Sequence, residues 1–324
     1  MTDELVSVVA PARLHLGFLD PGGRSARRFG GIGLALAEPA TALSVRRAAA
    51  NTVEGPESGR AARHLRDIQS KLGLSGAHAV EIHEAIPAHC GLGSGTQLAL
   101  GLALALRTLE GLSPDTAADA ALLGRGARSG LGASFLTLGG VAVDGGKGPG
   151  EAPPPIVARL PFPDDWRVLL VLDTRHEGFH GADELEAFAA LPPFPESATA
   201  EICRLVLMQA LPSLAERDLA GFGAAIATVQ AMVGAHFAPA QGGVFTSPAV
   251  ASACAALEGF GAEGIGQSSW GPTGFAFAPG EAEARAMVAR LGPLEPGLEI
   301  RVVRGRNHGA GVKTHRPRLA AGQT

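Results

Sequence analysis

The segment Ile86–Leu106, IPAHCGLGSGTQLALGLALAL, restricts the possible folds of this chain more than any other. Gly91, Gly93 and Gly95 alternate with Leu92 and Ser94 and lead into a run that carries no charge before Arg107. A helix that is apolar all round is buried all round, so the segment predicts a core helix over Thr96–Leu109. The turn before it admits two readings. It is a tight turn into a buried helix, or it is an anion cradle. In a cradle the glycines allow close backbone approach, and the first helical turn supplies free N–H groups and positive potential. The hydroxyls of Ser94 and Thr96 add donors. No Gly-Lys-Ser/Thr follows, so the loop is not a Walker A motif, and Ser94 lacks the glycine spacing of a hydrolase nucleophile elbow.

A buried helix needs a core to enter. The chain has 324 residues, 46% of them hydrophobic, enough for one large domain or two ordinary ones. The Gly/Pro-rich stretch Gly145–Pro155 (GGKGPGEAPPP) reads as a linker, giving expected domains at 1–150 and 151–324. Ahead of it, strands are expected at Glu4–Val9, Arg13–Phe18, Gly33–Leu36, Ala42–Arg47 and Ala79–Glu84. A hairpin is expected from Ser134–Leu138 and Val141–Asp144 around Gly139-Gly140. Helices are expected at Gly59–Leu72 and Pro114–Leu123, the latter capped by Ser113. Beyond the linker, strands at Arg167–Asp173, Gly271–Ala278 and Glu299–Arg304 mix with helices near Glu201–Leu211, Leu214–Gly234, Ser247–Glu258 and Glu281–Leu291. That is an α+β pattern, with a polar, disordered tail expected after Lys313.

Charge and composition exclude several classes. A net charge of −4 with 5% aromatic residues gives neither the basic footprint nor the stacking surface of a nucleic-acid binder. Cys90, Cys203 and Cys254 are odd in number and far apart, which fits a reducing compartment and no disulfide framework. The acidic N-terminal flank does not resemble a signal peptide. The longest apolar run, Leu98–Leu106, falls far short of the roughly 20 residues that span a bilayer. A cytoplasmic protein without membrane or nucleic-acid partners is expected.

Pro87-x-x-x-Gly91-Leu92-Gly93-Ser94 resembles the second motif of the GHMP kinase superfamily, a loop that wraps nucleotide phosphates. Ala10–Asp20 (APARLHLGFLD) is similar to its first motif. The resemblance implies a two-domain α+β fold, with an N-terminal domain like the second domain of ribosomal protein S5 and a ferredoxin-like C-terminal domain. Details depart from the kinases. Gly95-Thr96-Gln97 replaces the usual run of small residues after the loop. GIGQSSWGPTGFAF (Gly264–Phe277) stands in place of the third, glycine-rich kinase motif. Ser129-Gly130-Leu131 is followed by Gly132 where several kinases carry a catalytic Asp.

The pieces RLHLGFLD, FGGIGLAL, GLGSGTQLAL, GRGARSGLG with VDGGKG, HGADELEAF, QGGVF, GQSSWGPT and RNHGAG occur in order from residue 13 to about residue 311. Together they resemble the β-ribofuranosylaminobenzene 5'-phosphate synthases of methanopterin biosynthesis. That resemblance implies condensation of phosphoribosyl diphosphate with 4-hydroxy- or 4-aminobenzoate, with release of diphosphate and CO2, a requirement for Mg²⁺, and a homodimer. The runner-up is an ATP-dependent small-molecule kinase of the same superfamily; a non-catalytic metabolite sensor is a third reading.

On this reading Gly91, Gly93, Ser94, Gly95 and Thr96 hold the diphosphate. Arg13, Arg125 and one of Arg27 and Arg28 are further anion ligands, because guanidinium forks match phosphate and carboxylate. Arg28, Asp20 and His15 are the candidate catalytic groups. Asp20 and Asp144 are the candidate Mg²⁺ ligands, each with a competing role in capping a turn. His180 starts a loop-to-helix segment expected to close over substrate, and Gln241, Ser268 and Ser269 are expected to face the cleft from glycine turns of the second domain. The alternatives for these residues are a core histidine (His15), an exposed basic loop (Arg27, Arg28), a solvated helix start (His180) and local backbone capping (Ser268, Ser269).

Overall fold

The computed structural model describes residues 4–22, 26–150, 152–178, 186–187 and 190–316. Two long antiparallel strands, β1 (Leu5–Asp20) and β2 (Phe29–Ala48), form the spine of a seven-stranded sheet. Its order is β11 (Gly311–His315), β1, β2, β4 (Ala77–Glu84), β3 (Thr52–Glu54), with β5 (Val141–Asp144) on β2 and β6 (Ile156–Leu160) on β5. Side chains alternate across a strand and recur every three or four positions on a helix, and both periods meet on one face of this sheet. Val6, Val8, Leu43, Val45, Val80 and Ile82 pack against Ala61, Leu65 and Ile68 of α1 (Ser58–Leu72) and Leu98, Leu102 and Leu106 of α2 (Ser94–Leu109). The all-apolar helix is buried as expected.

The second sheet is antiparallel, in the order β10 (Leu298–Val303), β7 (Arg167–Asp173), β9 (Gly274–Ala278), β8 (Glu263–Gln267). Every residue of β7 is buried, which fits a strand covered on both faces. Leu169 and Val171 point to α8 (Pro248–Gly259) and α9 (Glu281–Arg290). Val168, Leu170 and Leu172 point the other way, into a core shared with Leu14, Leu16 and Phe18 of β1 and Phe222, Ile226 and Val229 of α7 (Leu219–Gln241). One hydrophobic core thus joins the two sheets, and it is α+β throughout. β6 and β11 both follow residue 150 and both pair into the first sheet.

By length and composition α7 is long and apolar enough to cross a membrane. Phe222, Ala225, Ile226, Val229, Val233 and Phe237 of this helix are nevertheless buried in the shared core. It continues to Gln241, seven residues past the expected end at Gly234. Before it, α5 (Glu196–Leu205) runs through a π-helical turn at Val206–Ala210 into α6 (Leu211–Glu216).

Several local expectations are corrected. Ser134–Leu138 is not a strand: α4 (Leu131–Ser134) and the turn after it bond Ser134 N to Gly130 O and Leu138 N to Ser134 O. The cap of α3 (Thr116–Leu122) is Asp115, which accepts from Ala118 N at 2.9 Å, and not Ser113. Gly33–Leu36 and Ala42–Arg47 belong to one strand. Gly264–Phe277 is largely a hairpin, whose Ser268–Thr273 turn reaches the first domain. After Lys313, Thr314 and His315 still pair with Val6 and Leu5; the expected tail beyond residue 316 lies outside the described residues.

Candidate active site

The N-terminus of α2 opens into a cavity of about 460 Å³. Gly93 caps the helix in the left-handed conformation (φ 78°), a position suited to glycine, with no side-chain cap hydrogen bond among the described residues. Around this end the glycine loop is held by two segments distant in sequence, β1 and the turn at Ser268. Gly91 O accepts from Arg13 Nη2 (3.2 Å) and Ser268 Oγ (2.8 Å), Leu92 O accepts from Arg13 N (3.0 Å), and His15 N donates to Ser268 Oγ (3.0 Å). A Cβ on Gly91 would lie 2.3 Å from Ser268 O, so only glycine lets the second-domain turn dock here. Ser268 is fully buried and spends its hydroxyl on this junction.

The cavity collects Arg13, His15, Gly91, Gly93, Ser94, Gly95, Thr96, Arg125 and Ser269 from the expected set. It adds Arg60 from α1, Arg128 and Ser129 from the second glycine loop, and Phe18, His89 and Trp270. Period-2 alternation identifies Arg13 and His15, and a register shift between His15 and Gly17 re-aims the strand immediately beyond. Arg128 was visible in GRGARSGLG beside Arg125. Arg60 is one of several basic residues in RAARHLR, and no local signal separates it from Arg63 and Arg66.

Other expected residues lie elsewhere. Arg27 is exposed and donates to the carbonyls of Gly145 (2.7 Å) and Gly146 (2.8 Å). Arg28 is exposed, bridges Lys147 through its backbone and holds its guanidinium 6.0 Å from the Phe29 ring centre. Gln241 bonds the carbonyls of Gly243 and Val244 (both 2.9 Å) and borders a small neighbouring recess. His180 lies outside the described residues.

Asp144 is completely buried. It accepts from Ser129 Oγ (2.9 Å), Gly130 N (3.1 Å) and Gly146 N (3.0 Å), tying the second glycine loop to the end of β5. Burial pushes its pKa up, against those three hydrogen bonds and the Arg13 charge. Asp20 is buried at the end of β1, and its charge adds to the burial that raises the Cys203 thiol. No carboxylate lines the cavity among the described residues, nor do three His, Cys, Asp or Glu side chains gather as a metal site. This donor set does not fit a Mg²⁺ ion held by protein carboxylates.

The cavity lining is instead strongly cationic, with Phe18 and Trp270 as its aromatic members. Trp270 stacks on Phe237 (4.2 Å, 21°), and Phe18 lies 4.3 Å from the His15 ring. His15 is 1% exposed, and both its ring nitrogens are buried without a hydrogen-bond partner among the described residues. Burial first, then Arg13, holds its pKa well below the usual histidine value. His64, behind Arg125, is pushed down to about 4 by burial and by Arg125 and Arg60. Both rings are therefore neutral at pH 7.

A histidine that stays neutral in the folded chain but protonates near 6.5 when unfolded makes the unfolded state bind more protons below that pH. Its stabilising contribution is complete above about pH 6.5 and is lost as pH falls toward the folded value. The melting temperature is expected to fall between pH 7 and pH 5, above the range where most carboxylates titrate. His64→Gln should shallow that slope. Parallel wild-type and variant profiles over this window would contradict the assignment of His64.

Residues 58–140 match the family described as GHMP kinases N terminal domain, and residues 210–293 match GHMP kinases C terminal. The fold is similar to homoserine kinase from Cytophaga hutchinsonii (TM-score 0.66, 16% identity, 97% of this chain and 98% of that one). It is equally similar to mevalonate diphosphate decarboxylase from Staphylococcus aureus (TM-score 0.66, 14% identity, 96% and 98%). In sequence the chain is 32% identical to beta-ribofuranosylphenol 5'-phosphate synthase of Archaeoglobus fulgidus, over 94% of this chain and 98% of that protein. It is 28% identical to the synthase of the same name from Methanothermobacter thermautotrophicus, over 96% and 99%. With the GHMP architecture and near-complete coverage of these relatives, the chain belongs to the beta-ribofuranosylphenol 5'-phosphate synthase family, and it is an enzyme.

Proposed function

We propose that this enzyme joins phosphoribosyl diphosphate to a 4-substituted benzoate, 4-hydroxy- or 4-aminobenzoate, with loss of CO2 and diphosphate. The ring carbon bearing the carboxylate attacks ribose C1. The C1–O bond breaks with its electron pair on diphosphate, and loss of CO2 returns the carbon–carbon pair to the ring. The observation that carries this reading is a cavity lined by four arginines, an uncapped helix N-terminus and the aromatic residues Phe18 and Trp270, with no lining carboxylate among the described residues. Such a site suits a polyanionic donor whose leaving group gains charge as the bond breaks, and a flat acceptor that needs no covalent nucleophile.

In this reading Arg13 and the first turn of α2 hold the diphosphate, and Phe18, neutral His15 and Trp270 orient the acceptor ring and exclude water from C1. A divalent ion enters with the donor's phosphates. Incubation of the protein with phosphoribosyl diphosphate, Mg²⁺ and carboxyl-labelled 4-hydroxybenzoate is expected to release CO2 and diphosphate in equal amounts, with 4-aminobenzoate run in parallel. Tight binding of Mg²⁺-ATP with ADP formation, and no response to phosphoribosyl diphosphate, would make the enzyme a kinase instead.

A further inference from the structure

Arg60 and Arg125 come from different elements, the first turn of α1 and the second glycine loop, yet converge over Gly95. A Cβ built on Gly95 would sit 3.4 Å from Arg125 Nη1 and 3.7 Å from Arg60 Nη1. The Nε atoms of both arginines are shielded from solvent and have no hydrogen-bond partner among the described residues. One carboxylate, Glu57, lies 2.9 Å from Arg60. Arg125 donates from Nη2 to Nε2 of the neutral His64 ring at 3.4 Å, a contact that fixes the fork without adding charge. Burial first, then the charge of Arg60, lowers the Arg125 pKa, in keeping with two cations held close together. Converging guanidiniums with so little internal compensation are stabilised by an anion, and their planar forks fit phosphate oxygens two at a time.

We infer that Arg60 and Arg125 form a second anion subsite, separate from the cradle at Arg13 and Gly93, and that it takes a phosphomonoester dianion. Assigning that group to the 5'-phosphate of the sugar donor rests on the function proposed above. The two stations flank the same helix end: Arg13 lies 3.4 Å from a Cβ on Gly93, whereas the Arg60–Arg125 pair covers Gly95. A substrate carrying phosphate at two ends of one sugar would engage both, leaving C1 between the cradle and the aromatic rings.

Ribose 5-phosphate and inorganic pyrophosphate are the probes, titrated calorimetrically into the wild-type protein, Arg60→Gln and Arg125→Gln. Each substitution is expected to weaken ribose 5-phosphate at least tenfold and pyrophosphate less than threefold. Arg60→Lys keeps the charge but loses the fork and should fall between wild type and Arg60→Gln; far-UV circular dichroism and melting confirm that each variant folds. Equal losses for both probes would mean one shared anion site, and an unaltered ribose 5-phosphate affinity, or none in the wild type, would overturn the subsite. Selective loss of ribose 5-phosphate in a protein that releases no CO2 from benzoate would instead refute the proposed reaction and leave the subsite standing.

Discussion

Gly93→Val is expected to lower kcat/KM for the sugar donor by at least a hundredfold while leaving a folded protein. Gly93 sits at φ 78°, where a β-branched residue is strained by about 1–2 kcal/mol, an amount that a chain with this much core tolerates. The functional loss has a different origin. The new Cβ would lie 3.4 Å from both Cβ and Nε of Arg13, and the two γ-methyls reach beyond it into the space an anion needs to meet the α2 N–H groups. A hundredfold effect corresponds to about 2.7 kcal/mol of lost transition-state binding, within reach of one charge-assisted contact plus part of the helix end. Gly93→Ala, which keeps the backbone strain without the branches, should lose distinctly less. Activity within fivefold of wild type in Gly93→Val would remove the cradle from the mechanism. Gly91 offers a poorer test, because its Cβ would collide with the Ser268 backbone and disturb the junction itself.

The glycine loop and the helix it opens were legible in the sequence because their pattern is local: alternating glycines, two hydroxyls and an apolar helix within about twenty residues. Arg13 and Ser268, which hold the loop, come from distant segments. Arg13 and His15 were legible because strand alternation places them on one face. The limits of such reading appear at Arg27 and Arg28. A glycine-rich loop with paired arginines looks like an anion grip, but the carbonyls of Gly145 and Gly146, over a hundred residues away, take the Arg27 fork. Arg60 shows the reverse: an ordinary surface pattern on an amphipathic helix hides the arginine of α1 that the fold turns over Gly95 beside Arg125. Edge strands were hard for a related reason. β11 reads GVKTH, nearly all exposed beyond its first residue, so only its long-range pairing with β1 makes it a strand. β6 follows three prolines and alternates half-buried with exposed residues, a pattern too weak to stand out from the linker before it.

Asp144 combines both kinds of information, and its replacement is the second large effect expected. The sequence leaves it between metal ligation and turn capping; the structure gives it three donors, from Ser129, Gly130 and Gly146, at full burial. Asp144→Ala would leave the buried N–H groups of Gly130 and Gly146 without their acceptor and free the Ser129 hydroxyl, which lines the cavity. At about 1–3 kcal/mol for each unsatisfied group, partly relieved by relaxation, the net loss is on the order of 3–5 kcal/mol. The melting temperature should drop by about 5–10 °C. Asp144→Asn can accept on one oxygen but turns an NH2 toward donors, so an intermediate loss is expected. Both variants loosen the loop that brings Arg125, Arg128 and Gly132 to the cavity, and kcat/KM should fall at least tenfold at temperatures where the protein is still folded. The dependence of the residual activity on Mg²⁺ concentration separates the two roles. A turn-fixing carboxylate leaves the half-saturating Mg²⁺ concentration near that of the wild type, whereas a ligand would raise it severalfold in Asp144→Asn. An Asp144→Ala protein melting within 2 °C of wild type would show that the three hydrogen bonds do not hold the loop, and would return Asp144 to the metal.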